Sequence, residues 1–297
     1  LLIGCLLVTV SCNNWLDVDP KSQVKDKDLF ASEMGFKEAL SGVYSLMTKE
    51  ALYGKELTFG WLGVLGQEWT SVPYNYEDDQ KYDFENAASE VRIDSVLALR
   101  AYLHFDLLRI FGASCAVGME RIAIPYVTEY APTIFPQEKV GDFVGKVLKD
   151  LQDAAKCLEN DPILTGRTVS EIDDNGYLMN RQVHLNYYAV KGLMARVYLY
   201  KGDYANAEVC AKEVIGSGCF EWVKQENLTN ESVADLTFST EHLFALNIVT
   251  LGNIVDKYLD GGNNSFALEE SRLSEYYGSS YDYRYLYLFK TGVGMSN

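Results

Sequence analysis

Residues 185–216 read LNYYAVKGLMARVYLYKGDYANAEVCAKEVIG, and this stretch decides the fold. Two helices are predicted, broken at Lys201-Gly202-Asp203. The first is apolar almost all round, with only Lys191 and Arg196 charged before Lys201. A helix of that kind is buried on several sides. The second is amphipathic: Ala207, Cys210, Ala211, Val214 and Ile215 recur at helical spacing, while Glu208, Lys212 and Glu213 face away. Asp203 is placed to cap its first turn, and Gly216 and Gly218 follow its last.

The hairpin resembles a tetratricopeptide unit. Ala195 and Ala207 are the small residues at the helix contact, with Tyr198 and the Gly202-Asp203-Tyr204 turn between them. Small side chains there let two helix backbones approach closely. Lys191 stands where that motif carries an early Trp, and its terminal Pro is missing. Such units are generic packing surfaces, so the resemblance speaks to fold and not to function.

Working outward, residues 95–111 (SVLALRAYLHFDLLRIF) read as a second mostly apolar helix ended by Gly112. His104 within it reads as a satisfied interior or edge residue, not a ligand. Pro125, Pro132 and Pro136 punctuate the connection after it, and Pro136 suits the first turn of the next helix. That helix carries Val140, Phe143, Val144, Val147, Leu148, Leu151, Ala155 and Leu158 as one stripe. The two form a more divergent copy of the later hairpin, so pairs at about 95–158 and 185–216 predict a short solenoid or bundle, mainly α with little β structure.

An amphipathic helix is also predicted over 29–47. Residues 51–79 read as an aromatic loop carrying Trp61, Trp69, Tyr74 and Tyr76 among Gly60, Gly63, Gly66 and Pro73. Those rings either cover the core or form a recognition surface. Beyond Cys219 the helical period fades. Residues 241–249 (EHLFALNIV) read as a buried strand or short helix. In 281–289 (YDYRYLYLF), Tyr281, Tyr283, Tyr285, Tyr287 and Phe289 share one face if extended.

Charge and cysteines narrow the function classes. Lys plus Arg number 26 against 42 Asp plus Glu, a formal net charge of −16, and no basic cluster marks a nucleic-acid partner. Aromatic residues make up 13%, led by 21 Tyr, a surplus that suits stacking surfaces. The six cysteines form no CxxC pair and no Cys/His metal spacing, so no metal is expected. Cys157 and Cys210 fall on apolar helix faces and read as small core residues. Asp173-Asp174-Asn175-Gly176 reads as a tight turn: an EF-hand counted from Asp173 would need Glu at its twelfth place, which is His184.

Residues 1–10 (LLIGCLLVTV) have the length of a signal-peptide apolar region and are too short to span a bilayer. Without an initiator Met or charged leader, the start of the precursor is expected to be missing. Ser11-Cys12 followed by Asn13-Asn14 resembles a bacterial lipobox, with Cys12 as the lipid attachment; the alternative is a plain secretory peptide with an incidental Cys. Acyl chains contribute about 0.8 kcal/mol per buried CH₂, enough to hold a multiply acylated Cys12 to outer-membrane lipid.

Taken in order, SCNNWLDVDPKSQV (11–24), LALRAYLHFDLLRIFG (97–112) followed by IPYV, residues 187–215 of the hairpin, EHLFALNI (241–248) and YDYRYLYLFK (281–290) resemble the SusD/RagB family of nutrient-binding outer-membrane lipoproteins. The resemblance implies tetratricopeptide-like helical pairs with a loop-rich, aromatic ligand face that binds glycan. It also implies a partner, a SusC-like TonB-dependent β-barrel transporter over which the lipoprotein sits as a lid. Family members carry a further helical segment before the LALRAYLHFDLLR helix and continue beyond the last residue here, so a truncated or internally deleted member is expected. The layout is then 1–11 a signal-peptide remnant, 12–28 a lipidated tether, 29–216 the helical region and 217–297 the incomplete start of a loop-rich region.

No catalytic constellation emerges around His104, His184 or His242, and no glycine-rich phosphate loop is present. Glu77, Asp78 and Asp79 read as a solvated loop rather than a glycosidase acid and base. The chain is expected to be no enzyme and to need no cofactor. Sugar binding needs less machinery: rings stack on the apolar faces of pyranoses while polar neighbours satisfy hydroxyls. The candidates are Trp69, Tyr74 and Tyr76, with Gln67 and Asn75 beside them and Tyr281 and Tyr283 in reserve. The competing reading is a tetratricopeptide-like protein–protein scaffold that binds no glycan.

Overall fold

The computed structural model describes residues 32–81, 100–128, 134–165, 180–230, 232, 234–259, 265–278 and 281–289. Cys5, Cys12, the 1–28 leader and tether, and the 173–176 turn lie outside them. Two units divide the chain, Leu1–Gly42 and Val43–Asn297. Helix α1 (Glu33–Met47) begins in the first, where Ser32 Oγ accepts the Gly35 N–H (3.1 Å) as an N-cap, and its last residues from Val43 on fall in the second. The remaining elements belong to the second.

In chain order follow α2 (Trp61–Leu65), α3 (Glu77–Gln80), α4 (Arg100–Phe111), strand β1 (Ile122–Pro125), strand β2 (Gln137–Lys139) and α5 (Val140–Cys157). After them come α6 (Pro162–Thr165), α7 (Tyr187–Lys201), α8 (Tyr204–Ile215), α9 (Glu226–Thr229), α10 (Leu251–Tyr258), α11 (Glu270–Tyr277) and α12 (Tyr283–Leu288). Among the described residues the sheet structure is the antiparallel β1–β2 ribbon, apart from one isolated bridge between Ser71 and Ala267. The fold is mainly α, as the period of the chain predicts.

The main core joins α4, β1, α5, α7 and α8 through Phe105, Leu108, Ala123, Phe143, Val147, Leu193, Val197 and Cys210, with Tyr126 just after β1. The predicted α5 stripe is buried from Val140 through Ala155, with Leu158 half-buried behind it. Each such side chain contributes roughly 1.5–3 kcal/mol on burial, so the stripe alone explains why α5 is fixed between α4 and α7. Helix α7 buries Tyr188, Ala189, Val190, Leu193, Met194 and Val197, residues that go nearly round its axis. Its end is set by Gly202 at φ +82, a left-handed position that a side chain disfavours. Asp203 then caps α8 by accepting the Asn206 N–H (3.3 Å).

A buried polar knot fixes where the hairpin starts. Asp161 accepts from Arg181 Nε (2.9 Å) and Nη2 (2.7 Å) and from the Ile163 and Tyr187 amides (3.1 Å each). Asn186 is fully buried: its Oδ1 caps α7 by accepting the Ala189 N–H (2.9 Å), while Nδ2 donates to Arg181 O (3.0 Å) and Leu243 O (2.8 Å). The chain after α5 and around the start of α7 is thereby pinned by groups that have no water to fall back on.

Five local expectations need correction. Pro136 precedes β2 rather than opening a helix, because 137–139 pair with β1 and α5 begins only at Val140. Residues 241–249 form neither strand nor regular helix; after a 3₁₀ turn at Ser239–Glu241 the segment runs irregularly, held by Asn186 and by Ala245 N–H donating to Gln182 O (2.8 Å). The alternating tyrosines of 281–289 coil into α12, where Asp282 accepts the Arg284 N–H (2.9 Å). Tyr283 and Tyr287 share a face in either geometry, but only the helix brings their rings to 6.1 Å; a strand would hold them about 13 Å apart. Ile215 is exposed beyond the helix contact, and Cys157 is exposed at the last turn of α5, past the reach of the packing stripe; Cys210 alone of that pair is core.

Candidate functional site

The aromatic loop is more ordered than its glycines suggest. A helical turn at Glu50–Gly54 leads into Lys55 and Glu56, both buried, and then into α2. Their side chains pair at 2.9 Å with 9% and 11% exposure. Glu56 Oε1 also accepts the Tyr76 hydroxyl (2.7 Å), and Oε2 accepts the Trp61 amide (3.0 Å), one of the free donors at the start of α2. Lys55 Nζ lies 4.3 Å from the Tyr258 ring centroid and 5.7 Å from that of Tyr76. Burial pulls the Lys55 ammonium down, but hydrogen bonds to Tyr76 and Glu56 more than offset it and its pKa is raised. Burial, reinforced by Glu56, pushes the Tyr76 phenol well above its ordinary value. Lys55 also pairs with Glu50 at 3.7 Å, so the loop is stapled from beneath by one ammonium, its two carboxylates and the Tyr76 hydroxyl.

Above the staple sits a small apolar cluster of Val64, Tyr76 and Phe266, flanked by Phe59, Trp61, Trp69, Val72, Tyr258 and Leu259. Trp69 donates its indole N–H to Phe59 O (2.7 Å) and packs on Phe266 at 5.3 Å between centroids. Gly63 makes room for it: a Cβ there would stand 2.7 Å from Trp69 Nε1. The far side of the loop is clasped by a distant segment. Ser71 N–H donates to Ala267 O (3.2 Å), Ala267 N–H donates to Ser71 O (3.0 Å), and Thr70 Oγ1 bonds Ala267 O (2.9 Å) across 197 positions.

The candidate residues separate by role. Tyr76 is 0% exposed and presents no ring face outward; it supports the loop. Trp69 is half-buried with its N–H already bonded, so what it can offer a ligand is ring surface. Tyr74 is the open ring, 76% exposed on the 3₁₀ turn after Pro73. Asn75 is half-buried on the same turn. Gln67, at φ +55, is exposed and donates from Nε2 to Gln80 O (2.8 Å), while Gln80 returns a bond to Trp69 O (3.2 Å). The structure therefore brings Gln67 and Trp69 together through Gln80 and sets Tyr74 and Tyr76 on opposite sides of one turn. Tyr281 and Tyr283 are exposed, on and just before α12.

Sequence reasoning missed Phe111 and Phe266. Phe111 ends the apolar α4 and would be counted as core; it is 55% exposed, with Trp61 6.2 Å away between centroids. Phe266 lies in a segment without periodicity, and no local signal reveals its burial among Trp69, Tyr76 and Tyr258.

The histidines are structural or peripheral in their contacts. His104 lies within hydrogen-bond distance of Arg100 O through Nδ1 (2.7 Å) and accepts the Val127 amide at Nε2 (3.0 Å), which sets the Nδ1–H tautomer. Its ring stacks 4.4 Å from Tyr126, whose hydroxyl donates to Asp150 (2.5 Å) beside the Arg100–Asp150 pair. Burial lowers the His104 pKa, with the Arg100 carbonyl opposing. His242 is half-buried and bonds Thr237 O (2.8 Å), and His184 meets the Tyr44 ring edge-on at 5.3 Å. Among the described residues no group of three or more His, Cys, Asp or Glu is placed to hold a metal, and no helix is long and apolar enough to cross a membrane.

No protein-family model matches the sequence, and no curated protein sequence matches it either. Solved structures do match by fold. The chain superposes on a Bacteroides vulgatus protein assigned to sugar binding with a TM-score of 0.63 at 20% identity, over 87% of this chain and 64% of that one. A SusD superfamily protein of Bacteroides thetaiotaomicron gives a TM-score of 0.48 at 16% identity, over 65% of this chain and 48% of that one. The chain thus spans less than two thirds of the length of either protein. At such identities the likeness is one of fold.

Proposed function

We propose that this chain, SusD-like in fold, is a non-enzymatic glycan-binding lipoprotein of the bacterial cell surface. It captures oligo- or polysaccharide on the aromatic loop and hands it to a SusC-like TonB-dependent transporter. Cys12 anchors it to outer-membrane lipid. The observation that carries the reading is the shared fold with a protein assigned to sugar binding. The loop supplies the chemistry: an open Tyr74 ring and a half-open Trp69 face stand over a charge-stapled base, with Gln67 and Asn75 near enough to serve hydroxyls. Rings fixed before the ligand arrives lose little entropy on binding.

Calorimetric titration of the intact chain against a panel of polysaccharides tests this. Affinity for at least one glycan is expected, weakened by Trp69→Ala. Because Trp69 also packs on Phe266, Tyr74→Ala is the companion variant, at a ring that is 76% exposed. Silence across the panel would favour the second reading, a protein–protein scaffold. One feature favours that alternative: Leu199, Tyr204, Val209 and Ile215 leave apolar surface exposed on the α7–α8 hairpin.

A further inference from the structure

We infer that the groove between the β1–β2 ribbon and the first half of α5 is a second saccharide subsite, one that takes an acidic, uronate-type sugar. The inference rests on the glycan-binding reading but concerns a different face from the aromatic loop. The groove is an open concavity of about 770 Å³. Its cationic groups are Lys139, Lys146 and Lys149, a concentration that matters in a chain of net charge −16. Three ammonium groups set against the Glu138 and Asp142 carboxylates leave this lining with a formal net charge of +1, where the chain as a whole is strongly negative.

The lysines are available to an incoming anion. Lys139 pairs with the exposed Glu120 (2.6 Å), and Lys149 with the solvated Asp153. Pairs between such solvated groups contribute little, so a ligand carboxylate exchanges one for another at small cost. Lys146 is held on Glu138 Oε1 (2.5 Å). The second oxygen of Glu138 is buried and has no hydrogen-bond partner among the described residues, and Asp142 also lines the groove. A bare phosphate or sulfate could use the lysines but would meet these two carboxylates as repulsion. A sugar acid suits both signs of charge, its carboxylate facing lysine and its hydroxyls donating to the exposed Asp142. The floor suits its ring: Gly141 and Gly145 expose helix backbone without side chains, and Ile122, largely exposed, offers an apolar wall to the C–H face.

The test is calorimetric titration of the full chain with tetragalacturonic acid and, in parallel, with cellotetraose. Tetragalacturonate is expected to bind in preference, and to weaken as NaCl rises from about 0.05 to about 0.5 M. Lys139→Gln/Lys149→Gln should weaken it roughly tenfold. Gly145→Leu changes no charge and meets nothing within 4 Å of its new Cβ, yet fills the groove; it should abolish binding while the thermal transition is kept. Trp69→Ala should leave the acidic ligand unaffected. Absence of tetragalacturonate binding, or binding indifferent to Gly145→Leu, overturns the subsite, the latter showing only diffuse charge attraction. If neutral glycans still bind in a Trp69-dependent way, the aromatic-loop reading survives that failure; if no saccharide of either kind binds, both fall.

Discussion

Removing the Glu56 carboxylate should dismantle the aromatic loop from below. Three groups depend on it: Lys55 Nζ at 2.9 Å, the Tyr76 hydroxyl at 2.7 Å and the Trp61 amide at 3.0 Å. In Glu56→Ala the ammonium stays buried at 9% exposure and keeps as its counter-charge only the half-exposed Glu50, at 3.7 Å. Breaking a buried pair in this way costs about 3–5 kcal/mol. The orphaned hydroxyl and amide add about 1 kcal/mol together, after relaxation. With a urea dependence of about 3 kcal/mol per molar, a loss near 5 kcal/mol lowers the unfolding midpoint by about 1.7 M. Equilibrium urea unfolding followed by tryptophan fluorescence reads this directly. Lys212→Ala, which removes an exposed pair with Glu208, should leave the midpoint where it was. Lys55→Met/Glu56→Leu should recover more than half of the loss, because no lone charge remains inside. A midpoint shift in Glu56→Ala no larger than that of the surface control, or a double variant worse than the single, would refute the reasoning.

Other consequences can be checked separately. Asn186→Ala removes a buried helix cap and strips two carbonyls of their donor, so the thermal midpoint should fall by roughly 5 °C, for a loss of about 2–3 kcal/mol. His104 has a folded pKa below its ordinary value of about 6.5, so the unfolded chain takes up that proton first. Its contribution is therefore full above about pH 6.5 and lost as pH falls toward the lower folded value, where Nε2 can no longer accept from Val127. His104→Gln should flatten that part of the urea-midpoint profile between about pH 7.5 and 5. Thiol labelling of the folded chain should modify Cys157 and Cys219 quickly and Cys210 only on unfolding, since Cys210 is buried and its thiol pKa is raised by that burial.

The helical frame was legible because its signals are local. Val140 to Ala155 bury on a spacing visible in the chain, Gly202 and Asp203 mark a turn by their own chemistry, and Ala207 is buried where a small residue is predicted. The aromatic loop was legible only as composition. Whether Tyr74 or Tyr76 faces water depends on Glu56, twenty residues before Tyr76, accepting one hydroxyl, and on Phe266 and Ala267 arriving from the far end of the chain. The tyrosines of 281–289 carry the same lesson. Their alternation fits a strand, but a strand needs a neighbour to satisfy its backbone, whereas a helix satisfies its own.

What the amino-acid order determined by itself was the repertoire of helices, their turns and the stripe along which α5 would pack, since period and capping act within a few residues. What only the tertiary structure decided was which aromatic rings are buried and which stand open, and that three lysines line one groove. Burial is a property of neighbours in space, as where Ala267 reaches Thr70 across 197 positions, and Lys139, Lys146 and Lys149, though close in sequence, line a groove only because the β1–β2 ribbon packs beside α5.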